Sequence, residues 1–86
     1  MTRHSIVMYS RASCPFCVAA RNLLKDKGVT WTEVSLDAEP DKRAEMIERT
    51  GRHTVPQIFV GDHHVGGFDD LDALEQGGDL DRLLAS

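Results

Sequence analysis

The sequence of 86 residues has little of several features that mark specialised protein classes. Its two cysteines are too few for a disulfide-dense extracellular scaffold. Only three prolines and seven glycines accompany 41% hydrophobic and 28% charged residues, a composition unlike that of a collagen or a disordered chain. We therefore expect a single globular domain, residues 1–86, with a core of modest size.

Long hydrophobic runs are also missing. A run such as Ile6-Val7-Met8-Tyr9 falls far short of the roughly 20 residues that a membrane-spanning helix needs, so we expect no membrane partner. The residues before it lack the apolar length and the cleavage site of a secretory signal, so we expect a cytoplasmic protein. A formal net charge of −4 argues against nucleic acid as a partner.

Hydrophobic periodicity and turn residues predict eight elements in the order β-α-β-α-β-β-α-α. The first four are a strand, a helix, a strand and a helix, at residues 5–9, 14–28, about 30–35 and about 40–51. Pro15 is placed where a helix begins, and Gly28 and Gly51 are placed where helices end. Asp37 is predicted to cap the second helix.

The second half of the chain predicts a hairpin followed by two helices. Two short strands, at 57–60 and 63–65, flank the turn Gly61-Asp62. Asp69 or Asp70 is predicted to cap the third helix, and Asp79 the last one. A parallel βαβ half joined to an antiparallel hairpin predicts an α/β fold with one four-stranded mixed sheet flanked by helices.

The two cysteines, Cys14 and Cys17, form a C-x-x-C motif in the first βα turn. At the start of a helix, unpaired N–H groups and the helix dipole stabilise a thiolate, and Arg11 adds a nearby cation. We therefore expect Cys14 to be the nucleophile. Cys17 lies one helical turn deeper and within disulfide reach, which suits a resolving thiol. A C-x-x-C near a βαβ pattern indicates a thioredoxin-like redox protein.

Three segments together resemble the glutaredoxin family, in its small dithiol, bacterial-type form. They are Cys14-Pro15-Phe16-Cys17, Thr54-Val55-Pro56 and Gly66-Gly67-Phe68-Asp69-Asp70. The likeness extends over nearly the whole chain. It implies the thioredoxin fold, a cis peptide bond before Pro56, and a glutathione-disulfide oxidoreductase that uses glutathione as co-substrate and acts on disulfide-containing or glutathionylated client proteins.

The resemblance also implies a glutathione site. Its residues are Arg11, Phe16, Arg43, Thr54, Val55, Pro56, Gly67, Phe68 and Asp69. Arg11 and Arg43 would pair with carboxylate groups of the ligand. Phe16 stands where the family usually has tyrosine, and its ring would flank the ligand without a hydroxyl. The Val55 backbone would pair with the cysteinyl unit.

The γ-glutamyl end of glutathione is assigned by the resemblance to the turn before the third helix. The N–H groups of Gly67, Phe68 and Asp69 would hold its carboxylate, and the Asp69 side chain would hold its ammonium group.

Several alternatives remain open at this stage. A structural zinc site needs four ligands, and the histidines that could complete one with the cysteines, His53, His63 and His64, lack the usual spacing, so we expect no metal. These histidines and His4 are interpreted as surface residues. A [2Fe–2S] carrier is a second possibility, which the stiff Pro15 disfavours. Reduction by thioredoxin reductase is a third, which Arg11 and Asp69 disfavour. We expect a monomer.

Overall fold

The computed structural model describes residues 5–85, so the prediction for His4 lies outside the described residues. Its sheet has four strands in the order β2-β1-β3-β4. The strands are β1 Ile6–Ser10, β2 Thr32–Ser35, β3 Gln57–Val60 and β4 His63–Gly66. β1 pairs parallel with β2 and antiparallel with β3, and β3 pairs antiparallel with β4. The predicted four-stranded mixed sheet is confirmed.

Four helices flank this sheet and create a core on each face. They are α1 Pro15–Asp26, α2 Lys42–Thr50, α3 Phe68–Gln76 and α4 Asp79–Ala85. One core cluster joins strand residues such as Met8 and Ile58 to α1, α3 and α4 through Leu24, Leu71 and Leu80. The central strand β1 is buried almost throughout, as its apolar run predicts, because helices cover both faces of the sheet.

The second core cluster lies against α2. It contains Tyr9, Leu36, Met46 and Phe59. Because neighbouring strand residues point to opposite faces, Met8 and Tyr9 enter different clusters. Because the two clusters pack against opposite faces of β1 and β3, they fix the position of the loop after β1 relative to the loop before β3.

The predicted caps of α2 and α3 are partly wrong. The Asp37 carboxylate accepts a hydrogen bond from the Ala12 N–H at 2.6 Å, and α2 begins at Lys42. The N-cap of α3 is Gly67, and Asp70 accepts from the Gly67 N–H at 3.0 Å. Asp69 makes no cap. An aspartate at the third helical position can reach back to the N-cap N–H, whereas one residue earlier the side chain points elsewhere.

The start of the last helix also differs slightly from the prediction. Asp79 is the first residue of α4 and not the residue before it, and its carboxylate pairs with Arg82. Within residues 5–85, no helix is both long enough and apolar enough to cross a membrane.

Candidate active site

Cys14 lies at the N-terminus of α1, at the carboxyl end of the central strand. Its extended backbone makes it the N-cap, and Pro15 occupies the first helical position, where a missing N–H costs nothing. The Sγ of Cys14 accepts a hydrogen bond from the Cys17 N–H at 3.1 Å. The sulfur is therefore aimed at the unpaired donors of the helix start, as the sequence predicted.

Cys14 and Cys17 form a disulfide, with Cα atoms 5.1 Å apart. Their burial differs sharply. Cys17 is fully buried at 0% exposure, whereas Cys14 is half-buried. An incoming thiol or disulfide can therefore reach the sulfur of Cys14 and not that of Cys17.

The loop before β3 lies directly opposite the cysteine pair. The Val55–Pro56 peptide bond is cis, as the family resemblance implied. The carbonyl oxygen of Val55 lies 3.8 Å from the Sγ of Cys14. Pro56 is buried and Thr54 is exposed, so the loop presents its backbone beside the reactive sulfur.

A cleft of about 320 Å³ opens beside this loop. Seven of the predicted glutathione-binding residues line it: Phe16, Thr54, Val55, Pro56, Gly67, Phe68 and Asp69. The rings of Phe16 and Phe68 stack with their centroids 6.2 Å apart. Phe16 is 61% exposed, which is unusual for a large apolar side chain. The cleft therefore has an apolar wall at the cysteines.

The cleft also has a charged end, where two neighbouring aspartates differ. Asp69 is exposed, and no residue in the described part of the chain pairs with its carboxylate. Asp70 accepts from the Gly67 N–H and forms an ion pair with Arg52, whose Nη1 is 2.9 Å from Oδ2. The Arg52 guanidinium, with help from the Gly67 N–H, lowers the pKa of Asp70. The carboxylate of Asp69 is therefore free to bind a ligand, whereas that of Asp70 is already paired with Arg52.

Arg52 and Asp70 line the cleft, although the sequence analysis did not place either in the site. One sequence feature could have identified Arg52: it follows the helix-ending Gly51 and stands two residues before Thr54. Their ion pair requires a glycine at position 66. Gly66 has a φ of +117°, and a Cβ there would collide with the Asp70 carboxylate and lie 3.0 Å from the Arg52 Nη1.

The two predicted arginines, Arg11 and Arg43, lie outside the cleft lining. They line a second recess of about 220 Å³ together with Leu36, Asp37 and Pro40. The Arg11 Nε is 4.0 Å from the Asp37 Oδ1, and both side chains are about half exposed. The structure therefore brings the two arginines together, but in a recess that shares no lining residue with the cleft.

The histidines occupy two environments. His53 and His63 are exposed, as predicted. The prediction for His64 is wrong, because this residue is half-buried and its ring stacks on Phe59 with centroids 4.9 Å apart. Across residues 5–85, no three His, Cys, Asp or Glu side chains are grouped so as to hold a metal ion.

Comparison with known proteins identifies the family of this chain. A sequence model of the glutaredoxin family matches residues 6–65. The chain belongs to the glutaredoxin family. A Pseudomonas aeruginosa glutaredoxin is 49% identical over 81 residues, which are 94% of this chain and 96% of that protein. Glutaredoxin 3 of Escherichia coli is 49% identical over 80 residues, covering 93% of this chain and 96% of that protein.

Solved glutaredoxins share the architecture. The solution structure of a Brucella melitensis glutaredoxin has a TM-score of 0.84 and 50% identity, covering 98% of this chain and 91% of that one. A crystal structure of a buckwheat glutaredoxin–glutathione complex has a TM-score of 0.87 and 29% identity, covering 96% of this chain and 78% of that one. The thioredoxin fold is confirmed, and family and fold together support a thiol–disulfide oxidoreductase with a redox-active cysteine pair.

Proposed function

We propose that this glutaredoxin uses glutathione to reduce protein disulfides and glutathione mixed disulfides. The observation that carries the proposal is the accessible sulfur of Cys14, placed above a buried Cys17 and beside a cleft with an open carboxylate. A relative of the same fold, the buckwheat protein, is described as a complex with glutathione, which supports the same co-substrate here.

In the first step, the Cys14 thiolate attacks one sulfur of a client disulfide. A mixed disulfide with the client forms, and the other client sulfur leaves as a thiolate. The N–H of Cys17, 3.1 Å from the Cys14 sulfur in the disulfide form, is placed to stabilise the attacking thiolate. Only Cys14 can make this attack, because solvent and substrates reach its sulfur and do not reach that of Cys17.

In the second step, the Cys17 thiolate attacks the Cys14 sulfur. The bond to the client breaks, the client leaves fully reduced, and the Cys14–Cys17 disulfide of this structure forms. The two Cα atoms are already close enough, so the exchange needs no unwinding of α1. Burial of Cys17 keeps its thiol from competing substrates.

Glutathione then restores the dithiol form. One glutathione thiolate attacks Cys14 and releases Cys17, and a second attacks the bound glutathione sulfur, so two glutathione molecules leave as one oxidised disulfide. In the cleft, the Val55 backbone would pair with the cysteinyl unit. The start of α3 would hold the γ-glutamyl carboxylate, and the free carboxylate of Asp69 would hold its ammonium group.

The recess formed by Arg11 and Arg43 suits a negatively charged group of the ligand. Two guanidinium groups beside a single aspartate leave a local excess of positive charge. We assign to it the glycyl carboxylate of glutathione.

The test is reduction of a glutathionylated peptide, with glutathione and glutathione reductase supplying electrons from NADPH. We expect turnover by the wild-type protein and by Cys17→Ser, because glutathione alone can release Cys14 from the glutathione adduct. We expect none by Cys14→Ser. Absence of wild-type turnover, with folded protein and free thiols, would contradict the proposal. The same protein would then be assayed with thioredoxin reductase in place of glutathione.

A further inference from the structure

Two polar side chains beneath the cleft, Gln57 and His64, have no part in the function proposed above. Gln57 opens β3 directly after the cis proline and is fully buried at 0% exposure. Its Nε2 donates to the carbonyl oxygen of Thr54 at 3.1 Å. Its Oε1 lies 2.7 Å from the Nε2 of His64 on β4. A hydrogen-bonded chain therefore runs from the outer strand to the loop beside Cys14.

This chain ends on a peptide unit that borders the cleft. The Thr54 carbonyl and the Val55 N–H belong to the same planar group, which is trans because the only cis bond between residues 5 and 85 is Val55–Pro56. In a trans peptide the two groups point in opposite directions. Since the carbonyl is held toward Gln57, the Val55 N–H is directed away from it, on a residue that lines the cleft.

The Val55 N–H is available to a ligand. Nothing in residues 5–85 accepts a hydrogen bond from it. Rotation of the Thr54–Val55 peptide plane would turn this donor away from the cleft. The Gln57 amide opposes that rotation, because it would lose a hydrogen bond at a buried donor.

The Thr54 carbonyl decides which end of the Gln57 amide faces the loop, and His64 stabilises that orientation. An amide can present either its oxygen or its nitrogen, and the oxygen would repel the Thr54 carbonyl. With the amide nitrogen facing Thr54, the amide oxygen faces the His64 Nε2, and it can accept a hydrogen bond there only from a ring that carries a proton on Nε2. Stacking on Phe59 holds the imidazole in place.

The surroundings of His64 disfavour the charged form of its ring. Burial, followed by the positive charge of Arg52, lowers the pKa of His64. Asp70 acts in the opposite direction, and His63 and Arg49 act with Arg52. The Nε2 donates to Gln57 in the neutral tautomer that carries its proton on Nε2, which the facing amide oxygen favours, and also in the charged form of the ring, so the chain to Gln57 does not depend on titration of His64.

We propose that Gln57, oriented by His64, is a positioning residue that aims the Val55 N–H at the substrate. This inference rests on the proposed function, since it concerns the backbone donor that a glutathionylated substrate would use. Its effect is expected in substrate binding and not in the chemistry of Cys14, which neither side chain touches.

The test measures KM and kcat for a glutathionylated peptide in Gln57→Met and His64→Phe. Methionine keeps the length of the side chain and phenylalanine keeps the stack on Phe59, so each variant removes mainly the hydrogen bond. A net hydrogen bond of about 1 kcal/mol predicts that KM rises about fivefold in Gln57→Met, with kcat little changed. We expect a smaller rise in His64→Phe.

The double variant separates positioning from general destabilisation. Because His64 acts through Gln57, the double variant should have the KM of Gln57→Met alone, whereas independent effects would multiply. The controls are Gln76→Leu on α3 and His63→Phe on β4, both exposed, for which we expect wild-type constants. Circular dichroism and Tm establish that each variant is folded.

An unchanged KM in folded Gln57→Met, or multiplying effects in the double variant, would overturn the inference while leaving the proposed function intact. If Gln57→Met does not fold, His64→Phe alone decides, since a raised KM supports the inference and an unchanged one overturns it. A wild-type protein without turnover would overturn the proposed function, and this inference with it.

Discussion

The two ends of helix α1 differ in whether the charged side chains beside them have partners. At its C-terminus, Lys27 donates to Glu75 and Asp81, with Nζ 2.7 Å from an oxygen of each. We call this group the clamp, because it joins α1 to α3 and α4. At the N-terminus, about 18 Å away by helical rise, Cys14 faces a cleft whose Asp69 carboxylate has no partner in the described chain.

The physical setting of each end explains the difference. The Lys27 side chain is only 14% exposed, so its charge needs partners, and a cation is also favoured at a helix C-terminus. Hydrogen bonds to Asp81 and Glu75 raise the pKa of Lys27. Asp69 is exposed, so water stabilises its charge until a ligand arrives. The paired charges of the clamp therefore join the helices, whereas the unpaired carboxylate of Asp69 is available for binding.

The largest expected effect is on activity alone. Cys14→Ser removes the accessible sulfur of the cysteine pair, so we expect a loss of disulfide reduction of about a thousandfold or more. Under reducing conditions the Tm should change little, because serine can also cap α1.

Cys17→Ser should retain deglutathionylation and lose reduction of dithiol substrates. An inactive Cys17→Ser in the first assay would contradict the role given to Cys14.

Asp69→Ala tests the open charge at the cleft. Loss of one charge-assisted contact to the ligand should raise KM for a glutathionylated peptide by about tenfold. Stability should change little, since Asp69 has no hydrogen-bond or ion-pair partner in the described chain and interacts favourably only with the dipole of α3. Glu48→Ala, on the exposed side of α2, is the matched control. A lowered Tm with an unchanged KM would reverse the assignment of Asp69 to binding.

Lys27→Met tests the clamp. It leaves Glu75 and Asp81 without their shared cation, so we expect a lower Tm. We expect unchanged KM and kcat at temperatures where the variant is folded, because the clamp lies at the far end of α1. Thermal unfolding followed by circular dichroism, together with the peptide assay, measures both. A selective change in KM would show that the two ends of α1 are coupled.

The smallest effect concerns Glu33 on β2, another carboxylate that is paired within the fold. Arg21, followed by Ser10 and Trp31, lowers the pKa of Glu33 from 4.5 to about 2. A lowered pKa in the folded state stabilises the protein at pH values above the unfolded value, and this contribution is lost as pH falls through the folded value. Glu33→Gln should therefore cost about 1 kcal/mol at pH 7.

The difference between Glu33→Gln and the wild type should shrink as pH falls from 4.5 toward 2. Urea unfolding across this pH range measures it. A difference that stays constant with pH would mean that packing and not charge accounts for the stabilising role of Glu33.

Local features of the sequence predicted most of the fold. Pro15 and Gly28 mark the ends of α1, and Gly61-Asp62 marks the hairpin, because each acts through its own backbone conformation. The same holds for the N-cap position of Cys14, which was predicted and confirmed. The caps proposed for Asp37 and Asp69 failed because a side chain's choice of partner depends on which donors lie nearby in space.

The sequence by itself determined the motif, the order of elements and the segments that would meet at the site. Tertiary structure alone decided that Asp70 pairs with Arg52 while Asp69 stays open, and that Gln57 links His64 to Thr54. It also decided that Arg11 and Arg43 lie in a recess apart from the cleft lining. These pairings join residues from different elements, so their distances are set by packing of the helices on the sheet and not by spacing along the chain.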